Sequence, residues 1–147
     1  MPSVHAGSPR RSRPTRGSAD LIITAYRTGR AVTIVSNNSS AALAAYRADH
    51  RLDGYIRAIV ARDENDPERM KPSPYRVREA VSLLDARHAE CVLVGDSTTD
   101  VLAGHLAGVA VIGYADKPGK TQAFAEVQAA AVTTDLAEIT TALRNTV

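Results

Sequence analysis

The stretch Val92-Leu93-Val94-Gly95-Asp96-Ser97-Thr98-Thr99-Asp100 decides the fold class of this 147-residue chain. A continuous apolar run that ends in a glycine is typical of a strand buried on both faces. Open α/β sheets bind their ligands beyond the carboxyl ends of such strands. Two carboxylates placed there repel each other unless a cation joins them. Because Mg²⁺ prefers one or two carboxylate ligands, the stretch predicts a magnesium site at Asp96 and Asp100.

Strand-like and helix-like segments alternate on both sides of this stretch. The hydrophobic pattern predicts further strands near 31–36, 55–60, 109–114 and 131–133. It predicts helices near 20–28, 39–50, 77–84, 99–107, 120–129 and 135–144. This alternation indicates an α/β domain whose parallel sheet is covered by helices on both faces.

The composition is that of a soluble globular protein, with 44% hydrophobic and 23% charged residues. The single cysteine, Cys91, excludes an internal disulfide and favours a reducing, cytoplasmic location. Its place at the start of an apolar strand predicts a buried structural thiol. No apolar run approaches the length of a membrane span, so we expect no membrane contact.

Residues 1–16 differ in composition from the rest of the chain. They contain four arginines, no acidic residue and three prolines. We expect a disordered basic leader here and a folded domain over residues 17–147. A transit peptide is the alternative for this segment. Because it has no interleaved aromatic residues and no helical periodicity, we expect no nucleic-acid partner.

Three further residues are candidates for phosphate chemistry. Ser36 and Asn37 follow a predicted strand, where a hydroxyl and backbone N–H groups suit a phosphate oxygen. Lys71, in Met70-Lys71-Pro72-Ser73-Pro74, is placed to neutralise a transferred phosphoryl group. Each has a simpler alternative: Ser36 as a helix cap, Lys71 as a solvated side chain, and Asp100 as an acid favoured by a helix dipole.

Strand-Ser, Lys-Pro and strand-Gly-Asp-x-x-x-Asp, in this order, resemble motifs two to four of the haloacid dehalogenase-like (HAD) hydrolase superfamily. The resemblance covers residues 17–145, and Val35-Ser36-Asn37-Asn38 and Val94-Gly95-Asp96-Ser97 are similar to small phosphoglycolate-phosphatase-like members. It implies a Rossmann-like, three-layer α/β fold and a Mg²⁺-dependent phosphomonoesterase acting on small phosphorylated metabolites. By the resemblance, Ser36, Asn37 and Lys71 bind phosphate, Lys71 also takes a catalytic role, and Asp96 and Asp100 hold the metal.

The superfamily's first motif, Asp-x-Asp-x-Thr, is not found in these 147 residues. In the superfamily it supplies the nucleophile, at the end of a first strand that lies mid-sheet. The resemblance therefore implies a core without that strand and without a cap domain, the C-terminal part of a phosphatase, inactive as it stands. We expect the resulting open sheet, between the strands at 32–36 and 91–95, to favour self-association.

Two alternatives remain open from the residues alone. The chain is a non-catalytic remnant that binds phosphate or Mg²⁺ or serves as a partner subunit, or Gly113–Thr121 is a nucleotide-binding P-loop. The second alternative fits the pattern poorly, because five residues separate its glycines instead of four and Pro118 lacks an N–H group. The four histidines form no spacing typical of a zinc site.

Overall fold

The computed structural model describes residues 17–35, 52–60 and 74–146. Its helices are α1 (Ser18–Arg27), α2 (Tyr75–Leu83), α3 (Thr98–Ala107), α4 (Lys120–Glu126) and α5 (Leu136–Asn145). Its strands are β1 (Thr33–Val35), β2 (Ala58–Val60), β3 (Val92–Gly95), β4 (Ala110–Tyr114) and β5 (Ala131–Thr133). Short 3₁₀ turns occur at Asp53–Tyr55 and His88–Glu90. The alternation of strands and helices confirms the predicted α/β class.

The strands form two parallel sheets. One contains β1 and β2, and the other has the order β3-β4-β5. In the larger sheet Val94 pairs with Ile112, and Gly95 at the carboxyl end of β3 pairs with Gly113. Because its three strands are parallel, their carboxyl ends share one edge of the sheet.

The larger sheet is covered on both faces, as a three-layer fold requires. Side chains alternate between the faces of a strand, so neighbouring residues enter different cores. Val94 and Ile112 pack in one apolar cluster with α1 and α5. Leu93 and Val111 pack in a second cluster with α2, α3 and α4. The three-layer arrangement is therefore confirmed.

The two sheets are separate within the described part of the chain. Among the described strands, β1 pairs only with β2, and β3 pairs only with β4. Both β1 and β3 therefore have one edge that pairs with no described strand. The β1 residues Thr33, Ile34 and Val35 are nevertheless buried. The Thr33 hydroxyl is buried and has no hydrogen-bond partner among the described residues. Over the ranges that the structure describes, no strand lies between the strands at 32–36 and 91–95, as expected.

Some predicted elements differ from the structure. The strand expected at 55–60 begins only at Ala58, because Tyr55 belongs to a 3₁₀ turn and packs edge-on against Tyr26 at 5.3 Å. The last predicted helical turn near 129 is replaced by a turn in which Gln128 has a φ of 61°. The helix at 39–50 and the leader at 1–16 lie outside the described residues.

Two further expectations concerned Cys91 and a membrane span. The thiol of Cys91 is buried and donates to the carbonyl of Arg87 at 3.4 Å, which confirms a structural thiol. Among the helices described, none has the length and apolarity needed to cross a membrane.

Candidate functional site

Asp96 stands immediately after β3, at the carboxyl edge of the larger sheet. The strand forms because Leu93 and Val94 bury their side chains in the clusters on its two faces. Gly95 ends it where the chain passes very close to the start of α3. A Cβ atom at this position would lie 2.5 Å from Cβ and 2.6 Å from Cγ of Asp100. The glycine therefore leaves room for the Asp100 side chain at the end of β3, one residue before Asp96.

Asp100 is held by the first turn of α3. Ser97 caps the helix, with its Oγ accepting from the Thr99 amide at 3.2 Å. The Asp100 carboxylate accepts in return from the Ser97 amide at 3.1 Å, which completes a capping box. Only 2% of Asp100 is exposed. The interpretation of Asp100 as a helix N-terminal acid is therefore confirmed, and its role at a metal remains a prediction.

The charge of Asp96 is influenced by three neighbours. Burial raises the pKa of its carboxyl above the ordinary 3.8, and the negative charge of Asp100 raises it further. The ammonium of Lys120 acts in the opposite direction, while Asp116 adds a smaller upward effect. A carboxylate whose ionised form is disfavoured in this way is stabilised by a bound cation.

Lys120 and Asp116 are parts of this site that the sequence analysis did not assign to it. The Lys120 ammonium donates to the backbone carbonyl of Asp96 at 2.8 Å and pairs with the Asp116 carboxylate at 2.5 Å. Lys120 also lines a cavity of about 440 Å³ together with Asp96, Ser97 and Thr98. The spacing of Asp116 and Lys120, four residues apart before a helix, was the available signal.

The P-loop alternative finds no support in this arrangement. Its first glycine, Gly113, lies inside β4, where a Cβ atom would come within 2.5 Å of the Phe124 ring. Its lysine, Lys120, is engaged by Asp116 and by the carbonyl of Asp96. A phosphate cradle requires free backbone N–H groups and a free lysine, whereas here the amides of Ala115, Asp116 and Lys120 donate to backbone carbonyls and the Lys120 ammonium is engaged.

The remaining predicted residues fall outside this geometry. Ser36, Asn37 and Lys71 lie outside the described residues. Over residues 17–35, 52–60 and 74–146, no three His, Cys, Asp or Glu side chains are grouped so that they could hold a metal. His88 donates from Nδ1 to the carbonyl of Ala107, the last residue of α3, at 2.5 Å. This bond caps the carboxyl end of α3.

Fold and site define a three-layer α/β domain with two acidic residues, Asp96 and Asp100, at the carboxyl end of a parallel strand. The model of the haloacid dehalogenase-like hydrolase family matches residues 4–114. The chain belongs to this family.

Two curated relatives are similar to parts of the chain. The pyrophosphatase PpaX of Halalkalibacterium halodurans is 44% identical over 66 residues, which are 44% of this chain and 30% of the relative. The plasmid phosphoglycolate phosphatase of Cupriavidus necator is 38% identical over 97 residues, 63% of this chain and 41% of the relative. The chain thus spans less than half the length of either protein.

Solved structures show the same fold. A HAD family hydrolase from Deinococcus radiodurans, with bound phosphate and sodium, has a TM-score of 0.77 and 26% identity, covering 90% of this chain and 59% of that one. The putative HAD hydrolase YfnB of Bacillus subtilis, bound to magnesium, has a TM-score of 0.74 and 18% identity, covering 90% and 56%. These matches confirm the Rossmann-like HAD fold class.

Proposed function

We propose that this chain supplies the magnesium- and phosphate-binding side of a Mg²⁺-dependent phosphomonoesterase site for small phosphorylated metabolites. The observation that supports it most is that Asp100 packs against Gly95 at the carboxyl end of β3, next to Asp96, whose pKa its negative charge raises. The names of the relatives point the same way, since one is a phosphoglycolate phosphatase and another a pyrophosphatase. We also propose a cytoplasmic location, which the reduced, buried Cys91 supports.

The donor set of the site fits Mg²⁺. Both side chains are hard oxygen donors, and Mg²⁺ is held by one or two carboxylates with water or substrate in its other positions. Asp100 is oriented by its bond from the Ser97 amide, so the pair is partly preorganised. When bound, Mg²⁺ supplies positive charge that offsets the anionic phosphate and stabilises the transferring phosphoryl group.

The chain's own residues have separate roles in the proposed site. Asp96 presents its carboxylate at the strand end, and Asp100 fixes the turn on which Asp96 stands. We assign phosphate binding to Ser36 and Asn37, which follow β1 directly in the chain. We assign Lys71 the catalytic role of neutralising the phosphoryl group. These three assignments are supported by the order of the motifs in the sequence.

We infer that these 147 residues alone do not hydrolyse phosphate monoesters. They contain no Asp-x-Asp-x-Thr, and the described residues bring no third metal-binding side chain to Asp96 and Asp100. Covalent phosphatase catalysis by a carboxylate needs a nucleophile in line with phosphorus.

The test is release of phenolate from an aryl phosphate by the purified chain with Mg²⁺. We expect no release above the blank. Turnover that Asp96→Asn abolishes would show that the chain is an active enzyme. A thermal shift with Mg²⁺ that Asp96→Asn removes would support the metal-binding half of the proposal independently of turnover.

A second candidate function is that of a partner subunit. Two observations favour it: the unpaired edges of β1 and β3 in the described structure, and an apolar surface cavity beside β3. An apolar cavity of about 340 Å³ is lined by Val92 and Val94 of β3 with residues of α1 and α5. Open strand edges pair readily with another chain. Sedimentation should then show self-association of the chain. A monomer at every concentration tested would exclude pairing of these edges between copies of the chain.

A further inference from the structure

Lys120 joins two loops that lie far apart in the sequence. It begins α4, which follows β4, whereas Asp96 follows β3. Its ammonium donates to the Asp96 carbonyl at 2.8 Å, and the same ammonium is paired with Asp116 at 2.5 Å. Lys120 and Asp116 are both about 30% exposed at the side chain, so the pair stands at the rim of the site.

The bond from Lys120 to Asp96 goes to the backbone and not to the carboxylate. The ammonium donates to the backbone carbonyl of Asp96 and forms its ion pair with Asp116. Lys120 thus holds the backbone that bears the Asp96 carboxylate without forming an ion pair with that carboxylate. Bonds to charged donors are stronger than neutral ones, and groups that orient a metal ligand affect metal affinity strongly.

We propose that Lys120, held by Asp116, is a positioning residue that fixes the backbone of Asp96 for divalent-cation binding. The inference rests on the function proposed above, because it takes Asp96 as a metal ligand. It assigns Asp116 the role of placing the ammonium of Lys120. Neither residue touches the metal or the substrate in this proposal.

The test uses the full chain and Mn²⁺ as the probe, followed by the relaxation of water protons. We expect Lys120→Met to weaken Mn²⁺ binding by about tenfold, as is usual for groups that orient a ligand. Lys120→Arg should restore most of the affinity, because its guanidinium can also donate to the Asp96 carbonyl. The matched control is Lys117→Met, which removes an equal charge from the same loop. Lys117 makes no side-chain hydrogen bond or ion pair with a described residue, and we expect its variant to bind like the wild type.

A second measurement is independent of metal. The backbone carbonyl ¹³C resonance of Asp96 reports its hydrogen bond, and it should shift in Lys120→Met and not in Lys117→Met. An unchanged resonance in Lys120→Met would overturn the positioning role whether or not Mn²⁺ binds. Wild-type or tighter affinity in Lys120→Met would overturn it too, as would equal losses in the two methionine variants, which would show that the bond to the Asp96 carbonyl is not the cause. If the wild type binds no Mn²⁺ through Asp96 while the ¹³C shift occurs, the proposed function fails and the link from Lys120 to Asp96 stands.

Discussion

Gly95→Ala is the substitution that tests the geometry of the site most sharply. The new Cβ would lie 2.5 Å from Cβ of Asp100, whereas ordinary van der Waals contact begins at 3.4 Å. Asp100 must therefore retreat by about 0.9 Å, or β3 must move by the same amount. The side chain has little room to do so, because Asp100 is almost fully buried.

The cost can be worked from two contributions. Overpacking of a filled site costs about 1 to 3 kcal/mol. Retreat of Asp100 also stretches its 3.1 Å bond from the Ser97 amide, and loss of a helix cap costs about 1 kcal/mol. We therefore expect Gly95→Ala to lower the free energy of unfolding by about 2 to 4 kcal/mol. For a domain of this size that corresponds to a Tm lower by about 6 to 12 °C.

Urea and thermal unfolding measure this difference, with Gly54→Ala as the matched control. No atom of the described residues lies within 4 Å of the position that a Cβ would take at Gly54, and its φ is not in the left-handed region. Gly54→Ala should therefore be neutral or slightly stabilising, because alanine restricts the unfolded chain. Equal stability of the two alanine variants would refute the close approach of β3 and Asp100.

Three other predictions concern single side chains. Arg76 is 3% exposed, and its Nε and Nη2 have no hydrogen-bond partner among the described residues. Arg76→Met should therefore raise the free energy of unfolding, measured in urea, by about 1 to 3 kcal/mol. A loss of stability would instead reveal a partner of the guanidinium. Asp135 caps α5 by accepting from the Ala137 amide at 3.0 Å, so Asp135→Ala should lower it by about 1 kcal/mol, and an unchanged urea midpoint would contradict the cap. Burial and the charge of Asp100 raise the pKa of Asp96 above 3.8, so the folded state binds more protons than the unfolded state above that pH. The stability that the protonated Asp96 provides is complete below pH 3.8 and is lost as the pH rises through the pKa of Asp96 in the folded state. Without divalent cations, Asp96→Asn should therefore gain stability relative to the wild type between pH 4 and 7. A difference in the free energy of unfolding between variant and wild type that stays constant with pH would contradict the raised pKa.

The sequence was sufficient for the elements with strong local signals. The apolar run before Gly95 predicted β3, and the hydrophobic spacing over 99–107 predicted α3 to within one residue of its start. The strand expected to start at 55 was wrong over its first three positions. There the packing of Tyr55 on Tyr26 outweighs the strand propensity of an aromatic residue.

Contacts between distant residues could not be predicted in this way. Lys120 meets the carbonyl of Asp96 across 24 positions, and only the pairing of β3 with β4 brings the two loops together. The need for glycine at position 95 likewise depends on where the Asp100 side chain packs. Hydrophobic periodicity contains no information on either contact, since it reports which face is buried and not which neighbour is met.

The central claim is that Asp96 and Asp100 form a magnesium site at the end of β3. Titration of the ¹⁵N-labelled chain with Mg²⁺, followed in ¹H–¹⁵N spectra, tests it most directly. If these residues bind Mg²⁺, we expect chemical shift changes concentrated at the amides of Gly95 to Asp100 and the loss of these changes in Asp96→Asn. An absence of shifts, or the same shifts in Asp96→Asn, would contradict it.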